Sequence, residues 1–255
     1  MHQFETMFWE KQGKIARVTL NRPERLNAIN NQATVDLNAV ADEIAADEDV
    51  RLVVITGAGR SFCTGIDLKQ LSANQIEMVY HHRFERALRT FETMEKLVIV
   101  GIKQYCLGGG LQLALACDIR VAADNAILGL PAIKECLIPG LSTYRLARYV
   151  GLGNAKRLIL SGTNIPAEQA EHIGLIDHIV PLEGFEARLE EIVQQYLAND
   201  SRAMRLSKLL INETFNSDYE SALERYFELQ EVAQTSPDHE EAKRAYVEKR
   251  NPVWS

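Results

Sequence analysis

The sequence predicts an α/β fold, a largely parallel sheet core followed by a helical tail. Three observations predict it. Short apolar runs alternate with amphipathic stretches through the first half, the pattern of βαβ units. Two Gly-rich segments each follow one of those runs, and ligands bind beyond the carboxyl ends of strands in such sheets. From about residue 140 the pattern turns mostly helical.

Residues 14–20 (KIARVTL) alternate and read as a strand. Asn21-Arg22-Pro23 ends it, because proline has no N–H for the ladder. Leu37, Val40, Ala41 and Ile44 recur at i, i+3, i+4 and i+7, which makes one apolar helical face. RLVVIT (51–56) is a continuous apolar run, suited to a sheet buried on both faces. GAGRSFCTGID (57–67) is the first Gly-rich loop. A helix follows it, with Tyr80, Phe84, Leu88 and Phe91 on one face. LVIVGI (97–102) is the next strand. Gly108-Gly109-Gly110 then opens an apolar helix, LQLALAC, and DIRVA (118–122) is a short strand. Pro166 and Gly174 stand where a further helix begins and ends. Ile176–Val180 is strand-like, and residues 183–247 hold three or four amphipathic helices. A soft boundary near residue 195 divides a sheet-bearing core (1–195) from the tail (196–255).

A chain of 255 residues can bury a sizeable core without disulfides or metals. Its net charge of −7 and lack of a long basic run argue against nucleic acid as a partner. Cys63, Cys106, Cys117 and Cys136 match no zinc spacing, so each reads as a small buried residue in a reducing compartment, and no metal is expected. Met-His-Gln-Phe-Glu carries no signal pattern, and Leu97–Ile102 is far too short to span a bilayer. A cytoplasmic protein without membrane contacts is expected.

The second Gly-rich segment runs directly into a helix, so free N–H groups and the positive dipole end face the space beyond the strand. Two backbone N–H groups converging on one oxygen form an oxyanion hole. A phosphate cradle is equally consistent with the pattern alone.

NRPERLNAI (21–29), GRSFCTGIDL (59–68), GGGLQLALACDIRVA (108–122), IPG (138–140), AEHIGLIDHIV (170–180) and the ending AYVEKRNPVW (245–254) resemble, in this order, the enoyl-CoA hydratase/isomerase or crotonase superfamily. The resemblance covers nearly the whole chain. It implies a ββα spiral core and a helical trimerisation region, hence a homotrimer or a dimer of trimers. It implies an acyl-CoA or acyl-carrier-protein thioester as substrate, with CoA or phosphopantetheine as part of it and no separate cofactor. The backbone N–H groups of Ile66 and Gly109 become the oxyanion donors. Leu26 and Ala28 are placed along the CoA adenine and pantetheine, with Gly65 and Asp67 also in the thioester-binding set.

Three positions depart from the family pattern. A crotonase hydratase uses two glutamates on one water; their places are taken by Gln112 and by Ala132, after Pro131. Some isomerases of the family carry an acid after the proline of IPG, and that residue is Gly140. Gln, Ala and Gly exchange no proton near neutral pH.

Glu135 stands three residues after Ala132 and shares its face if a helical turn begins there. The helix with Tyr80, His81, His82 and Glu85 is the other reservoir, since His81 and Glu85 are four apart on one face. The family places that helix near the acyl pocket. His239, in SPDHEEAK, reads as a surface histidine, and Cys63 lacks an evident neighbouring base. Gly151-Leu152-Gly153 follows a helix and Gly57-Ala58-Gly59 lacks the rest of a dinucleotide fingerprint, so neither supports NAD.

The expected function is therefore enolate chemistry on a thioester, with double-bond isomerisation or decarboxylation favoured over hydration. Hydration with a rebuilt acid/base set is the alternative. A thioester hydrolase using Cys63 or water, and a non-catalytic thioester- or RNA-binding homologue, are the readings from other classes.

Overall fold

The computed structural model describes residues 1–199 and 201–254. Strand β1 (His2–Gln3), β2 (Met7–Gln12) and β3 (Ile15–Leu20) form an antiparallel ribbon that turns at Gly13, φ +59°. Sequence reading missed β2. Its alternation covers only Met7 and Trp9 before the polar Glu10, Lys11 and Gln12. Helix α1 (Asn31–Ala46) starts where the Asn30 side chain accepts the Ala33 N–H. It buries Leu37, Val40, Ala41 and Ile44, the predicted face.

Strand β4 (Leu52–Gly57) leads into the first Gly-rich loop, then helix α2 (Leu68–Ser72) and helix α3 (Met78–Thr93). Tyr80, Phe84, Leu88 and Phe91 are buried along α3, as their spacing requires. Strand β5 (Leu97–Ile102) has the predicted bounds and is buried at every residue. Strand β6 (Tyr105–Leu107), helix α4 (Gly109–Leu115), strand β7 (Ile119–Ala123) and strand β8 (Ile127–Gly129) follow. Helix α5 (Ser142–Ser161) kinks at Gly151, φ +73°, so that glycine bends a helix rather than cradling a phosphate. Strand β9 (Ile165–Pro166), helix α6 (Ala167–His172) and strand β10 (His178–Val180) complete the sheets.

The main sheet has the order β1-β2-β3-β4-β5-β7-β10 and is parallel from β3 onward. A second sheet, β6-β8-β9, was not anticipated, because its strands are only two or three residues long. Helices α1, α3 and α4 cover one face of the main sheet. Helix α7 (Phe185–Ala198) covers the other, setting Phe185, Leu189 and Val193 against Leu52, Val54, Ile99 and Val121. Each such side chain contributes roughly 1.5–3 kcal/mol through burial. Residue 195 falls inside α7, so the helix spanning the expected boundary packs on the core.

Helices α8 (Arg202–Thr214), α9 (Tyr219–Gln234) and α10 (Pro237–Glu248) follow. The first is anchored to the core by a largely buried ion pair. Lys208 Nζ lies 2.8 Å from Asp118 Oδ2 and donates to the Phe91 and Lys96 carbonyls. Among the described residues no helix is long and apolar enough to cross a membrane.

Candidate active site

A cavity of about 250 Å³ opens where the loop after β4 meets the turn after β6. The segment around Cys63 runs as an extra strand along β6: Cys63 N–H donates to the Tyr105 carbonyl (2.9 Å) and Leu107 N–H to the Cys63 carbonyl (3.0 Å). Gly65 then adopts φ +93°. A Cβ there would stand 2.8 Å from the Leu107 carbonyl oxygen and 2.9 Å from the Gly109 nitrogen, so only glycine lets the two backbones touch. On its other side the loop pairs with Ile29, whose N–H donates to the Gly65 carbonyl (2.7 Å) and whose carbonyl accepts from Asp67 N–H (2.9 Å).

Ile66 sits between these bonds and lines the cavity. Its N–H has no acceptor among the described residues, and neither has the Gly109 N–H at the first position of α4. The first N–H of that turn to be bonded is that of Gln112, which donates to the Gly108 carbonyl (3.0 Å). Two free backbone donors thus sit on abutting segments at one cavity, the minimum for stabilising a carbonyl oxygen that gains negative charge.

Asp67 follows Ile66 in the donor loop, and its carboxylate does not line the cavity. It receives both Arg22 guanidinium nitrogens at 3.0 Å and caps α2 through the Lys69 and Gln70 N–H groups. Burial pushes this carboxyl up, but Arg22 and the helix amides more than offset that and hold it below its ordinary value. Leu26 and Ala28 also stand outside the cavity lining, in the segment bordering the donor loop; the Leu26 carbonyl accepts from Thr64 N–H and the Ala28 carbonyl from Arg22.

The facing wall is a 3-10 turn, Pro131–Glu135. With three residues per turn, Ala132 and Glu135 share a face, and both line the cavity. Glu135 is exposed and stands at the rim. Gln112, Ala132 and Gly140 all line the cavity, so the three positions without a titratable group are brought together.

His81 lines the cavity and is half-buried. Burial lowers its imidazole pKa, with Glu85 opposing, so the neutral ring that can accept a proton is favoured. Tyr80 is buried and donates to the Ile29 carbonyl (3.2 Å); burial pushes its phenol up. Glu85 stands behind the lining residues, its Oε2 2.9 Å from Arg145 Nη1 and its Oε1 accepting from Leu141 N–H at 2.8 Å. Sequence reading missed Arg22 and Arg145, because nothing along the chain signals a cation whose partner lies on another element.

The remaining candidates separate cleanly. Cys63 is fully buried, its thiol is pushed up to about 12 by burial, and its Sγ faces the Asn27 carbonyl, so it is no nucleophile. Cys136 departs from the expectation of burial: it is exposed, in the left-handed conformation (φ +55°) that closes the 3-10 turn. His239 lies against Trp254 and Ser201, away from this cavity.

The sequence profile described as enoyl-CoA hydratase/isomerase matches residues 10–255. The chain is 35% identical over 254 residues to a short-chain-enoyl-CoA hydratase of Clostridium acetobutylicum, covering 97% of each protein. It is 33% identical to a crotonyl-CoA hydratase of Syntrophomonas wolfei, covering 97% of this chain and 96% of that one. The crystal structure of an enoyl-CoA hydratase from Bacillus anthracis superposes with a TM-score of 0.92 at 31% identity, over 98% of this chain and 99% of the other. With its mixed α/β core, its abutting donor segments and these matches over nearly its full length, the chain belongs to the enoyl-CoA hydratase/isomerase family, the crotonase superfamily.

Proposed function

We propose that this crotonase-superfamily acyl-CoA enzyme works through an enolate held by the Ile66 and Gly109 N–H groups, and that its reaction is double-bond isomerisation or decarboxylation rather than hydration. One observation carries the reading. The free donors share a cavity with Gln112, Ala132 and Gly140, three positions none of which carries a titratable group. Hydration needs an acid and a base on one water. Isomerisation needs a single proton carrier, and decarboxylation needs none for C–C cleavage, because the departing CO₂ leaves its electron pair on the enolate. The cavity wall of Ile66, Leu68, Phe84, Leu107, Leu137 and Ile138 suits an apolar acyl chain. CoA and a carrier-protein phosphopantetheine present the same thioester, so either handle fits this chemistry.

Hydration is the second reading, favoured by the names of the relatives, a short-chain-enoyl-CoA hydratase and a crotonyl-CoA hydratase among them. Turnover of a 3-enoyl-CoA, a malonyl-type acyl-CoA and crotonyl-CoA separates the readings. Conversion of either of the first two with slow or absent water addition to crotonyl-CoA is expected. Fast hydration with neither other reaction overturns the proposal. For assembly, Ile211 on α8, Phe215 just after it, and Tyr219 and Phe227 on α9 are exposed, and we assign these residues to contacts between copies in a homotrimer or dimer of trimers.

A further inference from the structure

We infer that Glu85, delivered from α3 into the space left by the missing side chain of Gly140, is the proton carrier of this site, with Arg145 as its positioning residue. The inference rests on the enolate reading above and names the group that reading leaves open.

Gly140 has φ +49°, and a Cβ built there would meet Gln112 Oε1 at 2.5 Å and Glu85 Oε1 at 2.6 Å. Glycine therefore does two things at this position. It allows the left-handed turn, and it leaves a gap into which a carboxylate from another element reaches. Gln112 and Gly140 both line the cavity, so Glu85 Oε1 stands against its wall.

The carboxylate is fixed from behind. Arg145 is 4% exposed at its side chain, bonds Glu85 Oε2 at 2.9 Å, and also reaches Glu92. The Leu141 N–H holds Oε1 at 2.8 Å and leaves that oxygen a further lone pair. Glu135, the competing carboxylate, is exposed on the rim and has no comparable clamp among the described residues.

The chemistry balances without a cofactor. Glu85 takes a proton from Cα of a 3-enoyl thioester. The C–H electron pair forms the C1–Cα double bond, and the carbonyl π pair moves onto the oxygen between the Ile66 and Gly109 N–H groups. As that pair returns, Cα=Cβ forms, and the former Cβ=Cγ pair takes the same proton back from Glu85 at Cγ.

The charged groups around Glu85 are His81 one turn earlier on α3, Arg145 from α5, and the Glu92–Arg89 pair next to Arg145. Glu135 comes from the 3-10 turn across the cavity, and α4 contributes the neutral Gln112.

The test is kinetics of the full chain on a 3-enoyl-CoA, with thermal unfolding of each variant read separately. Glu85→Gln is expected to lose about 10²–10⁴ in kcat with little change in KM, the span of a general acid/base, and Glu85→Asp to recover part of it. Arg145→Gln frees the carboxylate from its clamp and is expected to lower kcat on the 3-enoyl-CoA about 10-fold or more with little change in KM, while Arg145→Lys recovers part of the loss. A purely structural arginine would lower the unfolding temperature without that split between kcat and KM. Isomerisation by the wild type and by Glu85→Gln at equal kcat overturns the assignment alone, as does loss confined to Glu135→Gln or His81→Gln. Absence of isomerisation by the wild type overturns the functional reading and this assignment with it.

Discussion

The wall of the cavity that carries the two free N–H groups and the wall that faces it are built in opposite ways. The first is tied at nearly every step of its backbone. Ile29 brackets Ile66 from one side, Tyr105 and Leu107 of β6 hold Cys63 from the other, and Arg22 fastens the Ala28 carbonyl to Asp67. The second is a 3-10 turn followed by a short irregular stretch, in which Ile133, Lys134, Glu135, Cys136 and Ile138 are all exposed. The difference follows from the two jobs. A donor works only when it is held within a few tenths of an ångström of an oxygen that will gain charge, so the backbone around it must be over-determined. A proton carrier is a side chain, and any neighbouring element can supply one. The facing wall therefore tolerates Ala132 and Gly140 where the resemblance places acids, and α4 tolerates Gln112.

The largest effect is expected from breaking the tied wall. Gly109 is the first residue of α4, where proline is accepted without loss of a helical hydrogen bond. Gly109→Pro should fold and lose about 10²–10³ in kcat on whichever thioester the enzyme turns over, the usual cost of one oxyanion donor. Full turnover by a folded variant would remove Gly109 from the donor pair.

The facing wall should be open to rebuilding. Gln112→Glu on α4 combined with Ala132→Glu on the facing turn places two carboxyl groups on the cavity lining. The double variant is expected to hydrate crotonyl-CoA at a rate on the order of 10² above the wild type, followed by loss of enoyl-thioester absorbance. No gain, with the fold retained, would mean that these two positions do not converge on one water.

A smaller effect sharpens the account of the tie itself. Asp67 titrates below its ordinary value of 3.8 in the folded protein. A carboxyl depressed in this way stabilises the fold fully above its unfolded value, and that stability is lost as pH falls through the folded value. The melting temperature of the wild type should therefore fall faster below about pH 4 than that of Asp67→Asn, which has no such carboxyl to protonate. Near pH 7 the variant should lie roughly 1–3 kcal/mol below the wild type, the range for a lost charge-assisted hydrogen bond. Parallel acid curves would show that the Arg22–Asp67 tie adds little.

Much of the tied wall could be read along the chain, because its devices are local. The Gly-rich loop after β4, the glycines opening α4 and the buried face of α3 are each patterns within one segment. The strand Leu97–Ile102 emerged with its observed bounds, since an unbroken apolar run has sharp ends. The Arg22–Asp67 tie was not legible, because the two residues lie 45 positions apart and neither gives a local sign of the other. Glu135 shared a face with Ala132 as expected, yet a face alone does not say whether it looks inward, and it stands at the rim. Glu85 was legible only as one of a pair on α3. That its carboxylate reaches Gly140 depends on how α3 and α5 pack, which no periodicity encodes.

The ion pair between Asp118 and Lys208 sets an order on synthesis. The carboxylate leaves the ribosome ninety residues ahead of its cation. Asp118 Oδ2 already accepts the Val98 N–H at the junction of β5 and β7, so it is drawn inward as soon as those strands pair. Until α8 arrives, that junction holds a charge without its counterion, and removing one partner of such a pair costs about 3–5 kcal/mol. A nascent sheet must therefore keep this edge open to water. The ion pair thereby ties α8 to the β5–β7 junction across ninety residues of chain.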